Sequence, residues 1–129
     1  MYNIQYLHIT IIYVLLISYI SHIPASSLPE SGSNFSDLDK LFHFLEFFLL
    51  GFLIQQSLVE RQIKPKSNLM FITLILGFSI ACIDELHQSM VNGRNSSVQD
   101  LVFDFAGIIS SLFFLKITTD FPNFSFYFN

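Results

Sequence analysis

Four apolar runs, at about Ile4–Ile20, Leu41–Val59, Leu69–Ile83 and Leu101–Ile117, divide this 129-residue chain. Each approaches the roughly 20 residues that an α-helix needs to cross a ~30 Å hydrocarbon core. The third reaches that length only by continuing through the polar Asp84–Gln88 stretch. Composition agrees: 52 % of residues are hydrophobic, 12 % are charged, and mean hydropathy is +0.55. A soluble domain carries roughly 25 % charge, and sixteen Phe exceed what a small water-soluble core can hide. The runs are continuous rather than alternating, which excludes a transmembrane β-barrel. The expected fold is all-α, a single membrane-embedded four-helix bundle over residues 1–129, with helices at about 4–20, 41–59, 69–87 and 101–117.

The same figures exclude disorder. One cysteine, Cys82, excludes an intramolecular disulfide framework and a Cys-rich zinc site. A net charge of −4 provides no basic footprint, so no nucleic-acid partner is expected.

Orientation follows from the basic residues of the loops. Arg61, Lys64 and Lys66, half of all Lys and Arg, stand between the second and third runs. That connection is expected on the cytoplasmic side together with both termini, and Lys116 agrees at the inner end of the fourth helix. Segments 21–40 and 84–100 then face outward. Residues 24–36, rich in Pro and Ser, read as an irregular outer loop, Asn92-Gly93 as a turn, and Ser96-x-x-Gln99 as a capping box opening the fourth helix. The aromatic tail 121–129 is expected at the inner interface. The first run lacks the basic n-region of a signal peptide and is expected to persist as a helix.

Ionisable side chains inside the spans are the informative feature. An Asp at the centre of a spanning helix costs roughly 2.5–3.5 kcal/mol on insertion scales, so such residues face a cavity or a partner. Asp39, His43, Glu46 and Leu50 share one face of the second helix, and Asp100, Asp104, Gly107 and Ser111 share one face of the fourth. On the third, the small Thr73, Gly77 and Ala81 lead to Asp84 or Glu85 and then Gln88. At ~1.5 Å per residue, Glu46 lies about 9 Å below Lys40, Asp104 about 6 Å below Asp100, and Asp84 about 8 Å short of the outer edge of a ~30 Å core. Carboxylates from three helices thus converge on one depth.

Glu46, Asp84, Glu85 and Asp104 together suit general acid–base chemistry, with Asp84, Glu85 and His87 as the catalytic candidates. His43 and His87, each beside carboxylates, are candidate metal ligands, bases or protonated partners. Lys40 and Arg94 can hold a phosphate or carboxylate, Arg bidentately. No nucleophile with an attendant base stands out, Cys82 reads as core filler, and Asp84-Glu85-Leu86-His87 is not the HExxH of zinc peptidases. Plainer readings stand beside these. Asp39–His43 and His43–Glu46 fit intrahelical pairs, Asp84–Gln88 a wet helix end, and Arg94 a counter-charge that fixes the outer loop. His8 and His22 stand apart and read as interfacial or structural.

The motifs Asp39-Lys40-x-x-His43-Phe44, Asp84-Glu85-x-His87-Gln88, Gly93-Arg94 and Asp100-x-x-x-Asp104-x-x-Gly107, in this order, resemble those of the VanZ-like membrane protein family over roughly residues 8–117. Two positions depart from the pattern. Glu46 stands where members often carry an uncharged aromatic or small residue, and Val91-Asn92-Gly93-Arg94 lacks the Pro that usually precedes Gly-Arg. The resemblance implies a small multi-pass protein of the bacterial cytoplasmic membrane, with the motif residues on the outer side. The name-giving member is associated with low-level resistance to teicoplanin, a lipoglycopeptide acting on the outer face; the resemblance implies no reaction.

Three functions fit these residues. In the first, Lys40, His43, Asp84, Glu85, His87, Gln88, Arg94 and Asp104 form an outward-facing pocket for an anionic or lipid-linked envelope molecule, binding it or shielding it from an antibiotic. In the second, the chain is a membrane-embedded hydrolase or transferase acting on an envelope lipid, with Asp84 or Glu85 as base and a divalent metal on His43 and His87. In the third, it is a structural subunit whose polar face pairs with a larger membrane complex. The lipid bilayer is the partner common to all three, and the sequence specifies no cofactor and no protein partner.

Overall fold

In the computed structural model the described residues are 5–24, 35–63, 66–94 and 96–120, and among them four α-helices and no strand occur. They are α1 (Gln5–Ser21), α2 (Phe35–Glu60), α3 (Lys66–Met90) and α4 (Val98–Asp120). The third helix does continue through Asp84–Gln88, ending at Met90. The second starts at Phe35, inside the stretch expected as loop. Residues 25–34, Lys64, the side chains of Lys66 and Lys116, and the tail 121–129 lie outside the described residues.

Helix ends follow local chemistry. Past α2, Gln62 adopts left-handed backbone (φ 55°) while Ile63 N–H reaches Leu58 C=O at 3.2 Å and Gln62 N–H reaches Val59 C=O at 2.9 Å. This is a Schellman ending with Gln where Gly is usual. After α3, Arg94 N–H bonds Val91 C=O at 3.1 Å across Asn92-Gly93, and Gly93 supplies the positive φ of 78° that the third residue of such a turn requires. The turn expected at Asn92-Gly93 is present. The cap of α4 is Ser97, one residue later than the expected Ser96: its Oγ accepts the Asp100 N–H at 3.1 Å and donates to Asp100 Oδ2 at 2.5 Å.

Successive helices run antiparallel. Tyr6 of α1 donates its backbone N–H to Glu60 Oε2, Thr10 bonds Leu53 C=O, and Tyr13 bonds Glu46 C=O, each at 3.2 Å, so α1 descends as α2 rises. The most extensive contact is between the parallel helices α2 and α4. It is a close one because it carries small residues. A Cβ on Gly107 would strike the Phe44 carbonyl oxygen and come within 2.8 Å of Phe48 N. One on Gly51 would strike Ser111 Oγ. Contacts also join α1 to α2 and α3, and α3 to α2 and α4. Ile17, Phe47, Leu50, Ile54, Ala81 and Ile108 form the apolar core.

The distribution of polarity is inverted relative to a water-soluble bundle. Ile12, Leu15, Phe42, Phe71, Ile83 and Phe113 are each more than 60 % exposed, whereas Gln55, Thr73, Asp104 and Ser111 are fully buried. Two helical segments, Leu38–Glu60 and Ser67–Met90, are long and apolar enough to cross a membrane, and α1 is a shorter apolar helix.

Candidate functional site

The C-terminal ends of α1 and α3 and the N-terminal ends of α2 and α4 meet at one end of the bundle. The acidic, histidine and basic residues singled out by sequence gather there in three distinct groups.

The innermost group centres on His43 of α2. Its Nδ1 lies 2.9 Å from Asp104 Oδ1 on α4 and 4.0 Å from Glu85 Oε1 on α3. All three residues are buried, Asp104 completely. Glu85 is tied at its other oxygen: Oε2 accepts the backbone N–H of Ser97 at 3.2 Å. In a capping box that N–H would go to the side chain of the third helical residue. Here it reaches across to α3 and holds Glu85 against the start of α4. Glu85 Oε1 and Asp104 Oδ2 are buried and make no hydrogen bond with the described residues. The potential ligand atoms of His43, Glu85 and Asp104 all lie within 4.8 Å of one another, as do those of Asp39, His43 and Asp100.

A second group joins α3 to α1. Asp84 Oδ1 accepts the Ser21 hydroxyl at 2.5 Å, and Oδ2 accepts Gln88 Nε2 at 2.8 Å. Gln88 Nε2 also approaches Ser21 Oγ at 3.3 Å. Both oxygens of Asp84 are thus engaged, and the group works as an interhelical clamp. His87 turns away from it: His87 Nε2 lies 3.1 Å from His22 Nδ1, near the surface. Arg94 reaches the last turn of α1, with Nη2 3.5 Å from the Ile20 carbonyl. A guanidinium there meets the negative end of the helix dipole.

Lys40 belongs to the third group. It borders a groove of about 360 Å³ lined also by Val98, Gln99, Val102 and Phe103. A neighbouring cavity of about 340 Å³ is lined by Lys40, Leu41, Phe44 and Phe103. Both combine Lys40 with apolar side chains, Phe103 in each and Phe44 in the second.

The eight candidate ligand residues therefore share one end of the bundle without sharing one cluster. His43, Glu85 and Asp104 come together, Asp84 and Gln88 pair with Ser21, His87 pairs with His22, and Lys40 and Arg94 occupy separate edges. Glu46 is half-buried, with its backbone carbonyl bonded to Tyr13. Sequence reasoning missed Ser21 and Ser97, because a lone serine at a helix end signals a cap and says nothing of a partner on another helix. His22, read as interfacial or structural, has a specific ring partner in His87.

Comparison with curated proteins and with solved structures gave no match. The model of one protein family, described as VanZ/LLP1, matches residues 3–119. With nearly the whole chain covered, including every residue of the three groups, this protein belongs to the VanZ/LLP1 family.

Proposed function

We propose that this chain is a multi-pass protein of the bacterial cytoplasmic membrane that binds the anionic headgroup of an envelope lipid or lipid-linked molecule at the end of the bundle bearing Lys40, His43 and Arg94. All four helices span the bilayer, and the connection carrying Arg61, Lys64 and Lys66 faces the cytoplasm with both termini. The headgroup site then opens outward, and occupancy shields the bound molecule from a glycopeptide antibiotic.

The observation that carries this reading is the groove between α2 and α4. Lys40, Val102 and Phe103 line it, Phe44 lines the neighbouring cavity with Lys40 and Phe103, and the buried His43–Asp104 contact joins the same two helices. An amphiphile fits such a surface by placing its anion on the ammonium and its chain along the aromatic rings. The inverted polarity of the bundle supports the bilayer as its surroundings, since exposed Ile, Leu and Phe side chains on this scale would be an aggregation hazard in water.

The test is teicoplanin susceptibility in a sensitive Gram-positive host expressing wild type, Lys40→Ala or Glu85→Gln at matched membrane abundance. Wild type is expected to raise resistance and both variants to lose it. Equal susceptibility of all three strains and the empty host would overturn the shielding role. Failure of the purified wild type to retain phosphatidylglycerol over phosphatidylcholine in native mass spectrometry would overturn the headgroup site itself.

A further inference from the structure

The buried cluster of His43, Glu85 and Asp104 has a feature that the neighbouring Asp84 group lacks. Asp84 has both carboxylate oxygens engaged by Ser21 and Gln88. Glu85 and Asp104 each retain one buried oxygen with no hydrogen-bond partner among the described residues. Glu85 is 6 % exposed and Asp104 0 %, so solvent does not serve those oxygens. An unmet buried acceptor costs roughly 1–3 kcal/mol, and more when it is ionised. Two such oxygens beside one imidazole call for a shared positive partner.

Charge narrows the identity of that partner. With both carboxylates ionised and the imidazole neutral, the set would carry two negative charges in a place that water does not reach. Protonating His43 would cancel only one of them, whereas a divalent cation cancels both and draws on all three side chains. The geometry is compatible: three ligand atoms from three helices lie within 4.8 Å of one another, and Glu85 Oε1 already points to within 4.0 Å of His43 Nδ1. Asp39 and Asp100 stand near the same ring, as the carboxylates behind metal-bound histidines do. One nitrogen and two carboxylate donors without a thiolate select a borderline or hard first-row ion.

We propose that His43, Glu85 and Asp104 form a binding site for one divalent cation of the Zn2+ or Mn2+ class, held between α2, α3 and α4. The site clamps the three helices at the end where the loops meet. The His22–His87 pair, with its two ring nitrogens 3.1 Å apart near the surface, is not part of it. This proposal stands on the cluster alone and is independent of any lipid.

The experiment uses the full chain purified in detergent, stripped with a chelator and dialysed against Zn2+, or against Mn2+ with detection by electron paramagnetic resonance. Wild type is expected to bind about one ion per chain and to gain thermal stability from it. Glu85→Gln keeps an oxygen for the Ser97 N–H while replacing the open oxygen with an amide nitrogen. It is expected to weaken binding at least tenfold, as is Asp104→Asn, whereas His87→Ala binds as wild type does. Helical circular dichroism checks that every variant is folded. Three results would overturn the proposal: no saturable binding by folded wild type, unchanged affinity in folded Glu85→Gln, or loss of binding in His87→Ala with retention in Glu85→Gln. The last would assign the ion to the imidazole pair.

Discussion

His43 and Asp104 meet at 2.9 Å across the α2–α4 interface, and neither is accessible to solvent to any useful extent. Their contact joins the two helices at the same end as the Lys40 groove, so its removal has a stability cost as well as a functional one. Asp104→Leu leaves a buried ring nitrogen without its hydrogen-bond partner and is expected to destabilise the bundle by about 1–3 kcal/mol. Asp104→Asn keeps a polar group opposite the same nitrogen and is expected to lose less. Thermal unfolding in detergent, compared between the two variants, checks the order.

Two helical glycines separate packing from propensity. Alanine at either position gains about 0.8–1 kcal/mol of helix propensity over glycine. At Gly107 the added methyl strikes the Phe44 carbonyl oxygen, which is backbone and cannot swing away, whereas at Gly77 it meets the buried Ile108 side chain at 3.0–3.3 Å, which must give slightly. Gly107→Ala is therefore expected to lower stability by about 1–3 kcal/mol net, in the range of overpacked interiors. Gly77→Ala is expected to cost less than Gly107→Ala. Unfolding midpoints of the two proteins test the contrast.

Ser97→Ala removes the hydroxyl that accepts the Asp100 N–H, with an expected cost of about 1 kcal/mol, while Ser97→Thr retains it. Hydrogen exchange at the first turn of α4 is the direct readout. Protection is expected to fall in the alanine variant and to persist in the threonine one.

Neighbouring carboxylates on α3 are expected to fail in different ways. Asp84→Asn cannot accept from both Ser21 and Gln88, so the α1–α3 clamp weakens and membrane abundance falls. Glu85→Gln and Arg94→Ala are expected to leave abundance unchanged and to remove the resistance that the proposed headgroup site would confer. Quantitative immunoblots of membranes beside susceptibility assays distinguish the two patterns.

Much of this arrangement was legible from residue spacing. Asp39 and His43 on one stripe, and Asp100 and Asp104 on another, were each placed on one helix face, and the structure brings these four together. Adjacent residues were harder. Asp84 and Glu85 lie 100° apart around α3, and spacing alone left open which of them joins the cluster; the structure turns one to α1 and the other to α2 and α4. His87 is two residues from Glu85, on nearly the opposite side of the helix, and so reaches His22 rather than His43. Ser96 and Ser97 both precede a suitable third residue, and only the backbone entering α4 decides between them. Ser21 was invisible because its partner Asp84 lies 63 residues away.

Glu85 receives its hydrogen bond from the backbone nitrogen of Ser97, and His43 receives its closest carboxylate from Asp104. Both contacts come from the start of the last helix. A chain that has emerged only through α3 already holds Asp84 between Ser21 and Gln88, but it carries His43 and Glu85 without the partners that align them. Assembly of the cluster therefore waits on the last helix: three helices can bring its parts near one another, and only the fourth locks them.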